Sequence, residues 1–152
     1  MQLYRLVKAR YSDDLLDSQG AKRHGGRWNS KGKAVLYSAD SVSLAALELL
    51  VHLRRSAILN HYVLVTIKLP DEAVLTLDTQ ALPPDWRDDP VPLSTQVLGD
   101  EWLTSHQSLA LAVPSTIVPQ QYNLLINPKH AAFPLLSKTI KSESFVFDSR
   151  LV

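Results

Sequence analysis

The sequence contains no cysteine and no long apolar run. Without cysteine, the chain has no disulfide framework, no thiol nucleophile and no cysteine-based zinc site. The N-terminal stretch MQLYRLVKAR lacks the apolar core of a secretory signal, and no run approaches the length that spans a membrane. We therefore expect a cytoplasmic protein that has no membrane partner.

The chain also lacks a strong net charge. Its 16 Lys and Arg residues balance 15 Asp and Glu residues, which leaves a formal charge of +1. A field this weak does not argue for direct nucleic-acid binding. A local basic stretch is present all the same, and it is either a solvated loop or a surface that attracts an anionic dinucleotide or, in a ribonuclease, RNA. Its members are Lys22, Arg23, Arg27, Lys31 and Lys33.

Several common catalytic signatures are missing. The five histidines form no HExxH motif and no zinc-like spacing with a carboxylate, so we predict no metal site. Ser115 stands in Pro-Ser-Thr rather than in GxSxG, which gives a serine-hydrolase interpretation little support. No P-loop is present, and no GxGxxG follows a strand, so a bound dinucleotide is not held in the Rossmann manner.

The order of the apolar segments predicts an α+β fold. A chain of 152 residues has the length of a small single domain, residues 1–152. We expect a curved mixed or antiparallel β core, built as a pair of sheets, with flanking helices. The predicted strands are residues 2–7, 34–37, 62–69, 74–77, 109–113, 123–126 and 145–151; the predicted helices are 41–55 and 94–108, and prolines make 79–92 a connector.

Residues 24–52 are the most informative part of the chain. A glycine pair precedes Arg27, a short apolar run ends in Tyr37, and the helix that follows carries Glu48 among apolar neighbours. Asp40 or Ser41 is the expected N-cap. The helix is apolar almost all round, which indicates a buried element, and its nearest polar neighbour on the same face is His52.

A buried carboxylate is costly unless it is paired, hydrogen-bonded or facing a cleft. Glu48 is therefore either a structural group in a polar network or a site residue on a rigid helix. The close spacing of Arg27, Tyr37 and Glu48 favours a shared site. The alternative is a hairpin loop with an ordinary exposed Arg27 and a core Trp28.

The central block resembles the RES domain family. It reads GGRWNSKG and then VLYSADSVSLAALELLVHL, and further segments follow in the family's order, namely Tyr4-Arg5, Val113-Pro114-Ser115, 127–130 and 147–151. The resemblance spans essentially the whole chain. One departure is the sequence Ala-Ala-Phe after His130, where Pro and Asp are expected before the Phe.

The resemblance implies a toxin of a RES–Xre toxin–antitoxin pair. It implies a fold like that of the ADP-ribosyltransferases, and NAD as a substrate with no separate cofactor. On this pattern Arg27, Glu48 and Ser115 are the catalytic residues. The further pocket residues expected to bind substrate are Arg5, Tyr37 and Asn127.

The resemblance leaves the reaction open. Transfer of ADP-ribose to water or phosphate would make the chain an NAD glycohydrolase or phosphorylase, and transfer to a protein would make it a mono-ADP-ribosyltransferase. A non-enzymatic binding domain, in which Arg27 and Glu48 form a structural ion pair, is the remaining alternative. The expected partners are an Xre-type antitoxin, whose acidic segment would close the pocket against the basic rim of Lys22, Arg23 and Lys31, and a second copy in a homodimer.

Overall fold

Seven strands and three α-helices form the protein in the computed structural model, which describes residues 1–58 and 60–151. The strands are β1 (Gln2–Lys8), β2 (Leu36–Ala39), β3 (Tyr62–Lys68), β4 (Val74–Thr76), β5 (Ala110–Pro114), β6 (Tyr122–Ile126) and β7 (Lys141–Phe145). The helices are α1 (Gln19–His24), α2 (Val42–Leu50) and α3 (Leu93–Ser105).

The strands form one mixed sheet in the order β4-β5-β6-β2-β1-β3-β7. The pair β4–β5 is parallel, and the other pairs are antiparallel. The predicted α+β class with a mixed β core is confirmed. The strands do not form the expected pair of sheets. The halves β4-β5-β6-β2 and β1-β3-β7 belong to one sheet, because β1 and β2 pair at a single residue pair, Tyr4 opposite Ala39.

Alternation along the strands divides the core between the two faces of the sheet. On one face Leu3, Val7, Val65 and Ile67 pack with apolar residues of β5 and β6, beneath the 3₁₀ segment Phe133–Lys138. The other face is covered by two separate helices. There α3 packs on a cluster that contains Trp28, Trp102, Leu111, Val113 and Leu125, and α2 packs on the junction of the two halves of the sheet.

The main helix is shorter and less buried than predicted. It runs from Val42 to Leu50 rather than over residues 41–55, and Ser41 is its N-cap, accepting a hydrogen bond from the Leu44 amide. Only Leu44 and Ala45 are buried, whereas Val51 is 59% exposed. The apolar pattern continues past the helix because Leu53, in the turn that follows, packs in the same cluster as Tyr62 and Phe147.

The predicted C-terminal strand, residues 145–151, is also wrong in its bounds. The observed β7 is Lys141–Phe145, whose sequence KSESF is exposed at the sheet edge and so carries no apolar alternation. The apolar signal came from Phe147, which is buried beside Tyr62 after the strand has ended. The helix α1 was missed too, since it buries no residue of its own.

The predicted second helix, 94–108, corresponds to α3. The 79–92 connector is confirmed as a segment between β4 and α3 that holds only one short 3₁₀ turn, Thr79–Ala81. In the part of the chain that the structure describes, no helix is long and apolar enough to cross a membrane.

Candidate active site

The helix α2 carries Glu48 to the junction of the two halves of the sheet. Leu44 and Ala45, one turn earlier, pack on Ala39 at the end of β2, and the same helix contacts β1. This packing leaves Glu48 half-buried above the strand ends. His52, the polar neighbour expected from the sequence, is exposed, so the partners of Glu48 come from other elements.

Two side chains donate hydrogen bonds to the same oxygen of Glu48. The Ser115 hydroxyl donates to Oε1 over 2.7 Å, and the Asn123 amide Nδ2 donates to Oε1 over 2.6 Å. Ser115 follows β5 directly, and Asn123 is the second residue of β6. The sequence prediction that Glu48 and Ser115 share a site is therefore consistent with their contact, although their chemical roles stay predictions.

Ser115 is fully buried and oriented by its own loop. Its Oγ accepts the backbone N–H groups of Ile117 and Val118, each over 3.1 Å, and its backbone N–H donates to the Gln121 carbonyl. A hydroxyl has two acceptor positions and one hydrogen. With both acceptor positions filled, the hydrogen of Ser115 is directed to Glu48.

Sequence reasoning missed Asn123. The residue opens the strand predicted at 123–126, and a polar side chain at the end of an otherwise apolar strand was the available signal. It shares a face with Leu125, two residues on, and pairs across the sheet with Ala39 on one side and Val113 on the other. That face is the one covered by α2, which is why the amide reaches Glu48.

Tyr37 lies on the same face, one diagonal step from Asn123 across the β2–β6 pair. Its hydroxyl donates to Asn29 Oδ1 over 2.7 Å and accepts the Trp28 backbone N–H over 3.1 Å. Burial raises the pKa of the Tyr37 hydroxyl well above its ordinary value, which strengthens the preference of this group for its neutral, donating form. The hydroxyl thus bonds two residues of the GGRWN loop, residues 25–29, and does not point freely into a pocket.

Gly26 completes that arrangement. A Cβ at this position would lie 2.7 Å from the Tyr37 hydroxyl oxygen and 2.9 Å from Asn29 Oδ1. Only glycine leaves room for these groups beside the backbone. Trp28 itself is buried in the core under α3, as the alternative interpretation of this loop expected.

Arg27 is held by the 79–92 connector. Its Nη1 donates to the carbonyl oxygens of Trp86, over 2.8 Å, and Asp88, over 2.9 Å. Among the described residues, Arg27 forms no salt bridge with Glu48. The structural ion pair on which the non-enzymatic alternative was based is therefore absent from this part of the chain.

The same connector reaches the loop after β5. Arg87, between the two residues that hold Arg27, donates to the Thr116 carbonyl over 3.0 Å. Trp86 and Leu82 pack on the core cluster under α3. The connector thus joins the Arg27 loop to the loop that carries Ser115, a link that no sequence motif predicted.

Arg5 and Asn127 lie elsewhere in the fold. Arg5 shares one face of β1 with Leu3 and Val7, the face opposite α2. Its side chain donates to the Asp17 carbonyl over 2.9 Å. Burial lowers the pKa of its guanidinium, and the charges of Asp17 and Asp14 oppose that shift. The structure does not bring Arg5 to Glu48.

Asn127 follows β6 at the end opposite Asn123. It is buried, its Nδ2 donates to the Leu103 carbonyl over 2.9 Å, and its Oδ1 accepts the Lys129 N–H. These bonds tie β6 to α3 and to the following turn. The substrate-binding roles of Arg5 and Asn127 stay predictions.

The basic rim of Lys22, Arg23 and Lys31 borders the GGRWN loop, and Lys33 lies beside it in sequence. The side chains of Lys22, Arg23, Lys31 and Lys33 are exposed, and the Gly32 N–H donates to the Lys22 carbonyl over 2.7 Å. This bond holds the turn at 31–32 against α1, so cations from two segments share one surface. Within residues 1–58 and 60–151, no three His, Asp or Glu side chains are grouped closely enough to hold a metal ion.

A known protein family matches this chain over nearly its whole length. The family described as the RES domain matches residues 2–148. The chain is a member of the RES domain family. This RES domain is 46% identical over 151 residues to Toxin Res of Yersinia enterocolitica, and the match covers 99% of each chain.

A second relative carries a more specific name. The RES domain is 39% identical over 146 residues to the Prs ADP-ribosylating toxin of Sphingobium sp., covering 93% of this chain and 89% of that protein. Among solved structures, the MbcT-MbcA toxin-antitoxin complex of M. tuberculosis contains a similar chain, with a TM-score of 0.74 over 99% of this chain and 85% of that chain. At 23% identity this likeness shows a shared fold.

Proposed function

We propose that this RES domain is a cytoplasmic toxin that cleaves the nicotinamide–ribose bond of NAD. The observation that carries the proposal is the half-buried carboxylate of Glu48, held at one oxygen by Ser115 and Asn123 beside the Arg27 loop. The names of the relatives, Toxin Res and Prs ADP-ribosylating toxin, support it. NAD is the substrate in this proposal, and no further cofactor is required.

One carboxylate is sufficient for this reaction. The nicotinamide nitrogen of NAD is already cationic, so nicotinamide leaves as a neutral molecule and needs no general acid, unlike the leaving group of an ordinary glycoside. The remaining requirement is to stabilise the positive charge that develops on the ribose. Glu48 supplies a fixed negative charge for that purpose, and its orientation is already set before the reaction begins.

The surroundings of Glu48 suit an anionic dinucleotide. In the described residues, Arg27 uses only Nη1 for its bonds to the connector, which leaves Nη2 and Nε to meet a phosphate. The exposed cations of the basic rim add attraction for the pyrophosphate. Tyr37, whose hydroxyl is engaged, offers its ring as the surface on which nicotinamide stacks.

The acceptor of ADP-ribose separates two candidate functions. Water or phosphate gives hydrolysis or phosphorolysis of NAD, which is our first candidate. Transfer to a protein side chain is the second, and the name of the Sphingobium relative favours it. Both candidates share the same bond cleavage and the same role for Glu48.

The test is to incubate the purified protein with NAD and to follow nicotinamide by chromatography. We expect release of nicotinamide in buffers with and without phosphate. NAD labelled in the adenylate portion identifies the acceptor once the products are separated from NAD. A labelled protein band reports ADP-ribosylation, labelled ADP-ribose reports hydrolysis, and labelled ADP-ribose phosphate reports phosphorolysis. No nicotinamide under any of these conditions would refute the proposed activity.

An enzyme that consumes NAD needs an inhibitor in its own cell. We propose an Xre-type antitoxin, consistent with the antitoxin partner of the MbcT-MbcA complex. An acidic segment of the antitoxin would approach the basic rim around Lys22, Arg23 and Lys31 and block access to Arg27. Charge complementarity of this kind raises the association rate more than the final affinity.

Co-purification with the proposed antitoxin tests this occlusion. We expect the complex to turn over NAD far more slowly than the free toxin, and a charge-reversed rim, Lys22→Glu with Arg23→Glu, to slow association. A complex as active as the free chain would contradict occlusion.

The expected homodimer is tested separately, by sedimentation of the free chain.

A further inference from the structure

The two oxygens of the Glu48 carboxylate have different surroundings. Oε1 accepts from Ser115 over 2.7 Å and from Asn123 over 2.6 Å. Within residues 1–58 and 60–151, no group donates a hydrogen bond to Oε2. A carboxylate offers about four acceptor positions on its two oxygens, so two donors are free to divide between them. Their convergence on one oxygen therefore reflects where the fold places them.

The fold holds both donors in place at the backbone, and it also fixes the direction of the Ser115 hydroxyl. The acceptor positions of Ser115 Oγ are filled by two backbone N–H groups, which fixes the direction of its hydrogen. Asn123 is paired within the sheet, between Ala39 of β2 and Val113 of β5. The donors belong to β6 and to the loop that directly follows β5, whereas Glu48 belongs to a helix in which only Leu44 and Ala45 are buried.

We propose that Asn123 is a positioning residue for the reaction, and that it clamps Glu48 Oε1 together with Ser115 so that Oε2 is presented to the substrate. This inference rests on the proposed function, because it assigns the working atom of the same site. In it, Oε2 accepts a hydrogen bond from a ribose hydroxyl and its charge faces the developing cation. Asn123 itself does not touch the substrate.

The clamp matters because catalysis depends on the orientation of the charge. A carboxylate fixed before the reaction stabilises developing charge without the cost of reorienting during it. A side chain that is free to rotate spends part of its time with neither oxygen directed at the ribose. Loss of a donor should therefore lower kcat and leave KM nearly unchanged, since the phosphates and the nicotinamide ring are bound by other residues.

The kinetic test uses Asn123→Ala, Asn123→Asp and Ser115→Ala. We expect kcat for nicotinamide release to fall by about a hundredfold in each alanine variant, as displacements of reacting groups of about 1 Å typically do. Asn123→Asp has nearly the same shape, but when ionised it cannot donate and it adds a like charge beside Glu48, so its kcat should fall further. Unchanged kcat in the Asn123 variants would overturn the proposal.

Two matched variants control for general effects of these substitutions. Asn60→Asp makes the same chemical change at an exposed position in the turn before β3, and its kcat and KM should equal those of the wild type. Ser108→Ala removes another buried hydroxyl, the one that accepts the Trp102 Nε1–H over 2.9 Å. Its melting temperature should fall, but kcat per folded molecule should not.

The double variant separates a clamp from two independent contacts. Because both donors act on one oxygen, Ser115→Ala with Asn123→Ala should lose less in kcat than the product of the two single losses. Melting temperatures that fall additively while kcat stays at the wild-type value would show that both residues are merely structural.

A structural readout keeps this inference distinct from the proposed function. Crystal structures of the wild type and of Asn123→Ala should show the Glu48 carboxylate turned away from its wild-type orientation in the variant. A carboxylate that stays in place would overturn the clamp even if NAD is cleaved. If the wild type releases no nicotinamide, the proposed function fails, and these two crystal structures still decide whether Asn123 orients Glu48.

Discussion

Glu48→Gln should leave the protein folded and reduce nicotinamide release by about a hundredfold or more, the typical cost of removing one well-placed electrostatic stabiliser. Glutamine keeps the size of the side chain, and its Oε1 is still able to accept from Ser115 and Asn123. What it removes is the negative charge that faces the developing cation on the ribose. The measurement is kcat and KM for NAD, together with the melting temperature.

The matched control is Glu72→Gln, which neutralises an exposed carboxylate in the turn before β4. Its turnover should equal that of the wild type, because the exposed charge is screened by water and salt. The opposite pattern at position 48, with normal turnover and a lowered melting temperature, would mean that Glu48 is a structural residue. The network of Ser115 and Asn123 would then serve stability alone.

Gly99→Ala should destabilise the protein strongly. Gly99 lies on α3 directly against the backbone of Trp28, and a Cβ there would lie 1.8 Å from the Trp28 carbonyl oxygen and 2.6 Å from its carbonyl carbon. The obstacle is backbone rather than a flexible side-chain end, so α3 and the GGRWN loop must separate. Overpacking of this severity costs about 3 kcal/mol, against about 1 kcal/mol gained from the helix propensity of alanine.

We expect the melting temperature of Gly99→Ala to fall by about 4 to 8 °C for a domain of this size. Activity should fall as well, because Gln96, one turn earlier on α3, donates to the Gly26 carbonyl over 3.0 Å and holds the loop that carries Arg27. Gly20→Ala is the control, since an added Cβ meets no atom within 4 Å in α1. A Gly99→Ala variant that melts with the wild type would contradict the close packing of α3 on this loop.

Local residue patterns predicted that several neighbouring segments of the chain lie close together. The Gly25-Gly26-Arg27 loop, the strand that contains Tyr37 and the helix capped by Ser41 are close together in sequence. In the structure the loop, the Tyr37 side chain and the helix lie on the same side of the sheet. Glu48 was singled out because a carboxylate among apolar residues on a helix demands a partner. That argument did not identify the partners, and His52, the nearest candidate in sequence, is exposed.

The partners of Glu48 and Arg27 come from distant parts of the chain. Asn123 reaches Glu48 only because β6 pairs with β2 in a register that sets Asn123 opposite Ala39. The carbonyls of Trp86 and Asp88 reach Arg27 only because the connector crosses from β4 to α3 beside the site. A backbone carbonyl has no sequence signature, and strand register depends on the whole hydrophobic pattern of the sheet.

What the sequence by itself determined is the family, the fold class and the residues with unusual chemistry for their surroundings, because these depend on residue type and short spacing. The tertiary structure decided which of them meet. It brought Ser115 and Asn123 to one oxygen of Glu48 and tied Arg27 to the connector. It also placed Arg5 on the opposite face of β1 and Asn127 at the far end of β6. Successive residues of a strand point to opposite faces, so a residue's place in a pocket follows from register and strand order rather than from identity.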